Sequence, residues 1–192
     1  MRRWAGWLLA CVLAATLAAA CGGGGGGGGA TSTGPSTVPV NDWLNSVCTA
    51  AGKWQKTLLQ TPNVSNPTDL TATKNTISTY LGGVVAATGT FGTEVNAAGV
   101  PDTEDGQAIA SSFNSSISTL ETAFKQAKSD VDGLSTSDSA ALVSGLQKVG
   151  TELTQAATKL STDFDTLSKE HPAADLSGAA KDIPACSALT GS

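Results

Sequence analysis

At 192 residues, 40% apolar and only 14% charged, the chain has enough apolar material for one folded domain and too little charge for an extended polyelectrolyte. Sixteen carboxylates outnumber eleven basic side chains, and both arginines, Arg2 and Arg3, lie at the extreme N-terminus, so nucleic acid, phosphate-rich ligands and anionic lipid surfaces are poor partners. One histidine and one methionine leave no ligand set for a zinc triad, a di-iron bundle site or haem, and no metal or other cofactor is expected.

Arg2 and Arg3 form a positive n-region, Trp7 to Leu17 an apolar h-region and Ala18-Ala19-Ala20 a small-residue cleavage site, which together predict a signal peptide over residues 1–20. The apolar run is too short to span a bilayer, which takes about 20 apolar residues. Ala18-Ala19-Ala20-Cys21 resembles the lipobox of bacterial lipoproteins, in which the cysteine becomes the acylated first residue, as with a palmitate. That pattern usually has Leu where Ala18 stands, so ordinary cleavage after Ala20 and secretion is the alternative route. Cysteine arithmetic favours the lipid: Cys11 leaves with the leader, Cys48 and Cys186 can pair, and Cys21 is then an odd thiol unless acylated. The expected location is therefore the extracytoplasmic face of the cell membrane. A twin-arginine signal is not supported, because Trp4-Ala5-Gly6 follows the arginines.

Eight glycines, Gly22 to Gly29, precede an Ala/Thr/Ser/Pro stretch that ends at Pro39. Residues 21–39 thus read as an anchor cysteine and a disordered tether of roughly 25 Å at coil dimensions. A phosphate-cradling loop would need a preceding strand and a following Lys-Ser/Thr, and has neither. Loss of the leader removes Arg2 and Arg3, leaving nine lysines against sixteen carboxylates and moving the formal charge from −5 to −7.

Residues 40–190 read as a helical domain. Asn41 or Asp42 can cap a first helix with an apolar stripe at Trp43, Val47, Ala51, Trp54 and Leu58, ending before Pro62. A second stripe runs Leu70, Ile77, Leu81, Val84, Phe91, Val95 and Ala98, and stops at Gly99, the residue suited to a left-handed C′ position. The third, Ile109, Phe113, Ile117, Leu120, Phe124, Ala127 and Val131, steps by three or four throughout. Ser135 to Asp138 supply caps for a fourth, Leu142, Leu146, Val149, Leu153, Ala156, Leu160, Phe164 and Leu167, which Pro172 terminates. Single apolar stripes joined by short connections predict an all-α, antiparallel four-helix bundle. Asp175 to Leu189 is expected to form a short helix, broken at Pro184, lying across the bundle. A Cys48–Cys186 disulfide would tie that tail back in an oxidising compartment; two separate buried thiols are the alternative.

Gly82, Gly83, Gly89 and Gly92 interrupt the second helix at about 1 kcal/mol each relative to Ala. A kink, a ligand touching backbone, or a close helix contact would each account for them. The expectation adopted is the contact, with Gly145 and Gly150 of the fourth helix facing it.

No constellation of catalytic residues assembles. His171 stands at a helix end, where a cation complements the dipole. Asp102, Glu104 and Asp105 lack calcium-loop spacing and read as helix-capping acids after Pro101. Asp163 and Asp165 point to different helix faces, and no G-x-S-x-G elbow occurs. Trp43, Trp54 and Tyr80 read first as core aromatics. Together with Gly83 and Gly89 they are also the candidate lining of a pocket between helices for an apolar ligand. Asn63-Val64-Ser65 and Asn114-Ser115-Ser116 match the N-glycosylation pattern at chance frequency.

Trp43, Cys48 and Trp54, the turn Ala97-Ala98-Gly99-Val100-Pro101-Asp102 with Gly106, and Pro184-Ala185-Cys186 together resemble a group of small exported helical proteins and lipoproteins of high-GC actinobacteria. The resemblance implies an envelope location and a helical fold, and no activity. The function expected on both grounds is that of a membrane-anchored, non-enzymatic interaction or scaffold module with a protein partner in the envelope. A carrier or sensor of an apolar ligand is the alternative.

Overall fold

The computed structural model describes residues 36–64, 66–171 and 176–190; the leader, Cys21 and the glycine run lie outside them. In chain order the elements are β1 (Thr37–Val38), α1 (Val40–Leu58), α2 (Leu70–Ala97), β2 (Val100–Pro101), α3 (Gly106–Gly133), α4 (Ser139–Glu170), α5 (Leu176–Lys181) and α6 (Pro184–Thr190). Among the described residues the fold is helical apart from one short parallel pairing of β1 with β2. Among the described residues no helix is long and apolar enough to cross a membrane.

Local chemistry sets several helix ends. Asp69 accepts from the Ala72 amide (2.9 Å) to open α2, and Asp138 accepts from the Ala140 amide (2.9 Å) to open α4. Gly99 follows α2 with φ of 82°, the left-handed conformation expected of it. Pro184 breaks the tail as predicted and takes the first position of α6, where its missing amide costs nothing.

Two capping expectations fail. The first helix is not capped by Asn41 or Asp42, which already lie inside it; Pro39 precedes it without a side-chain cap, because extended β1 runs directly into the first turn. Asp42 instead places its charge at the positive end of the α1 dipole. Asp105 stands at the N-cap of α3 but makes no capping hydrogen bond. Its carboxylate is turned toward His171.

Consecutive long helices run antiparallel. Lys53 meets Glu94 (2.8 Å) and Trp54 meets Thr88 across α1 and α2, while Gly92 lies against Ile117 and Gly82 against Lys128 across α2 and α3. His171 beside Asp105 and Gly145 beside Leu134 mark the two ends of the α3–α4 pair. Along α4 the exposed Thr154, Thr158, Thr162 and Thr166 each donate to the carbonyl one turn back.

The apolar stripes feed two clusters. One gathers Trp43, Leu44 and Val47 of α1 with Val95, Ile109, Ile117, Leu167, Ile183 and Cys186. The other joins Leu81, Ala127, Val131 and Val149 where α2, α3 and α4 meet. At 19 residues, α1 is shorter than the 28 of α2 and α3, and its main neighbours are α2, α5 and α6. The tail therefore does not lie across the long helices. It runs along α1, with Cys186 bonded to Cys48 and Leu189 near Gly52, because apolar Ile183, Ala179, Ala180 and Ala185 join the α1 cluster.

Candidate functional site

The aromatic residues singled out by sequence form a line along the α1–α2 seam. Trp43 is 0% exposed; its indole Nε1 donates to the Gly99 carbonyl (3.1 Å) and its ring meets Phe113 edge-on with centroids 5.4 Å apart. Trp54 donates from Nε1 to Thr88 Oγ1 (2.9 Å) and stacks on Phe91 at 5.6 Å. Tyr80 donates its hydroxyl to the Leu58 carbonyl (2.9 Å), and burial pushes its phenol above the ordinary range. Each polar handle is thus used internally, in buried Trp43 and in half-buried Trp54 and Tyr80 alike.

The glycines do not join that line. An added Cβ at Gly89 would meet Glu121 (3.4 Å) and at Gly92 Ile117 (3.2 Å), both on α3, whereas Gly83 has nothing within 4 Å. Gly145 packs on Leu134 and Gly150 has open space, so the expected facing of α2 glycines by α4 glycines is corrected: α3 is the partner. The reason is register, since Gly82, Gly89 and Gly92 share the α2 face turned toward Lys128, Glu121 and Ile117.

The described surface carries shallow concavities away from this seam. One follows α4 along Thr154, Thr158, Lys159 and Thr162, and another lies among Ala123, Gln126, Asp130, Lys148 and Glu152. Neither includes Trp43, Trp54 or Tyr80.

Sequence reasoning missed Thr88. It is 0% exposed, accepts from Trp54 and donates to the Val84 carbonyl (2.8 Å). The signal was present, since Thr88 falls on the apolar stripe between Val84 and Phe91, and a polar residue on a buried face needs a partner. The His171–Asp105 contact was also missed. Nδ1 lies 2.9 Å from Oδ2 but outside hydrogen-bond alignment, so the two pair as charges only when the imidazole is protonated. Elsewhere, hydrogen bonds from Lys128 and Ser78 hold the Asp132 carboxyl below the usual range. Among the described residues no three His, Cys, Asp or Glu side chains group as metal ligands.

Comparison with protein-family models, curated proteins and solved structures finds no match to this chain.

Proposed function

We propose that the protein is an envelope lipoprotein, acylated at Cys21 after removal of residues 1–20, whose helical domain acts as a non-enzymatic interaction or scaffold module on the outer face of the membrane. In this reading α1 to α4 form an antiparallel four-helix bundle and α5–α6 are strapped along α1. One observation carries the anchor: Cys48 and Cys186 are bonded to each other, so Cys21 is the single thiol left in the chain after the leader. A lone thiol between a lipobox-like Ala18-Ala19-Ala20 and a glycine run has an acyl chain as its natural use.

Scaffolding is favoured over the carrier alternative because the seam aromatics spend their polar groups on the domain itself. The balance of surface charge agrees with a module that meets protein rather than polyanion, since Lys53, Lys125, Lys128, Lys148 and Lys159 are each paired with a carboxylate.

Mass spectrometry of the intact protein extracted from the membranes of its own host tests the anchor. A chain beginning at Cys21 with added acyl mass is expected. An unmodified chain recovered from the culture medium overturns it. In-cell crosslinking from exposed positions then tests the module reading, which fails if no envelope protein is captured above the level of a scrambled control.

A further inference from the structure

We propose that His171 and Asp105 form a pH-sensitive latch between the end of α4 and the start of α3, slack while the imidazole is neutral and drawn into an ion pair once it takes a proton. The latch does not depend on the anchor reading. It adds to the module a joint whose fastening follows the acidity of its surroundings.

Core packing, not mutual attraction, brings the two side chains together. Leu167 lies one helical turn before His171 and Ile109 one turn after Asp105, and both are buried in the cluster around Trp43. The main chain fixes each residue at its helix end: the His171 amide donates to the Leu167 carbonyl (3.0 Å) and the Ile109 amide to the Asp105 carbonyl (3.0 Å). Since α3 and α4 are joined through Leu134 to Asp138 at their other end, the latch sits at the open end of an antiparallel hairpin.

Both groups lack a partner as the corner stands. An N-cap Asp accepts from an amide of its own first turn when its backbone is extended. Asp105 has φ of −99° and ψ of 12° and makes no such bond. His171 Nδ1 is shut off from solvent and unbonded, though Asp105 Oδ2 lies 2.9 Å away. At Nδ1 a neutral imidazole presents either a lone pair, which a carboxylate repels, or an N–H, which here is out of line. Burying an unpaired polar atom is costly, and a proton removes that cost. Imidazolium donates from both nitrogens, attracts the carboxylate and is favoured by the C-terminal end of the α4 dipole. A small turn of the ring then brings Nδ1–H into line with Oδ2. With 17% of the His171 side chain exposed, protons reach the ring without unfolding.

Imidazole is the side chain whose ordinary change of charge falls between about pH 5 and 8, and His171 is the only histidine. The other charged groups of the elements meeting at this corner are Asp42 of α1, Asp102 and Glu104 of the turn, Lys169 and Glu170 of α4, and Lys181 and Asp182 beside α6. Carboxylates and lysines ordinarily keep their charge over that range. Among the described residues, Asp105 is the carboxylate within ion-pair distance of the ring.

The test is NMR of the 15N-labelled chain without its leader, which keeps every described residue, taken from about pH 8 to about pH 5. Ring signals of the single histidine report its protonation directly. As they move, the amide signals of Gly106 and Gln107 at the start of α3 are expected to shift in step. At the acid end an Nδ1–H signal should appear, slowed in its exchange with water and in Overhauser contact with the Asp105 β protons. In D105N the ring still takes its proton while both amides hold still, and in H171Q they hold still as well; circular dichroism checks the helicity of each variant. Parent amides indifferent to the ring, or an acid-form ring without the Asp105 contact, overturn the latch whether or not the variants fold. A response of equal size in D105N overturns it too, because the field of the charged ring would then act on α3 without the carboxylate.

Discussion

Replacing both Cys48 and Cys186 by Ala removes a bridge that closes 138 residues of chain into one loop. The chain-entropy relation for a loop of that length predicts a loss of about 5 kcal/mol at 25 °C, at the upper end of the 2–5 kcal/mol range for native disulfides. For a domain of this size about 1 kcal/mol shifts Tm by roughly 2–4 °C, so a fall of roughly 10–20 °C is expected. Local packing adds to the loss, because Cys186 is 7% exposed and sits in the cluster with Trp43 and Leu44. The assay is urea unfolding followed by far-UV circular dichroism, run on the parent with and without reductant and on the double variant. If the bridge acts through the unfolded chain, the reduced parent unfolds in one transition well below the oxidised parent, and the variant unfolds slightly below the reduced parent by the packing it loses. A variant within about 1 kcal/mol of the parent would refute the entropic reasoning. A separate early transition confined to a tail probe on α6 would instead show that α5 and α6 unfold as a local unit.

Two glycines should respond with opposite sign. Gly83→Ala, which meets open space in mid-helix, should gain roughly 0.5–1 kcal/mol. Gly106→Ala, whose Cβ would be driven into the Pro101 carbonyl, should lose about 1–3 kcal/mol or more; thermal melts decide both, and a stabilised Gly106→Ala would contradict the tight turn. Thr88→Val leaves the Trp54 indole without its acceptor inside the seam and should cost about 1–3 kcal/mol in denaturant unfolding. Tyr80 is the only tyrosine, so ultraviolet absorbance reads its ionisation alone. Burial raises the folded phenol above its unfolded value of about 10. The associated stability is fully present below the unfolded value and is lost as pH rises through the folded one. A titration midpoint in the folded protein at or below that in urea would reverse the sign and reject the burial of this hydroxyl.

Much of the helical layout was legible in the residues. The steps of three and four from Ile109 to Val131 mark the buried face of α3, and Ile109, Ile117, Leu120, Ala127 and Val131 are all buried in the fold. Asp138, Gly99 and Pro184 act where their chemistry suggested. The pairing of Cys48 with Cys186 followed from counting thiols. The candidate pocket was less legible. Trp43, Trp54 and Tyr80 share a seam as read, yet the partners that consume their polar groups, Gly99, Thr88 and Leu58, come from chain 22 to 56 residues away.

Periodicity, caps and terminators act within a turn or two of helix, so the sequence by itself determined where the helices run and which stripe of each is apolar. Which stripe meets which partner is decided by contacts between distant residues. Only the tertiary structure therefore assigned α3 to the α2 glycines, laid α5 and α6 along the short α1, and turned Thr37 and Val38 from tether into a strand against Val100 and Pro101. That last pairing joins segments more than sixty residues apart through backbone groups, which side-chain patterns do not record.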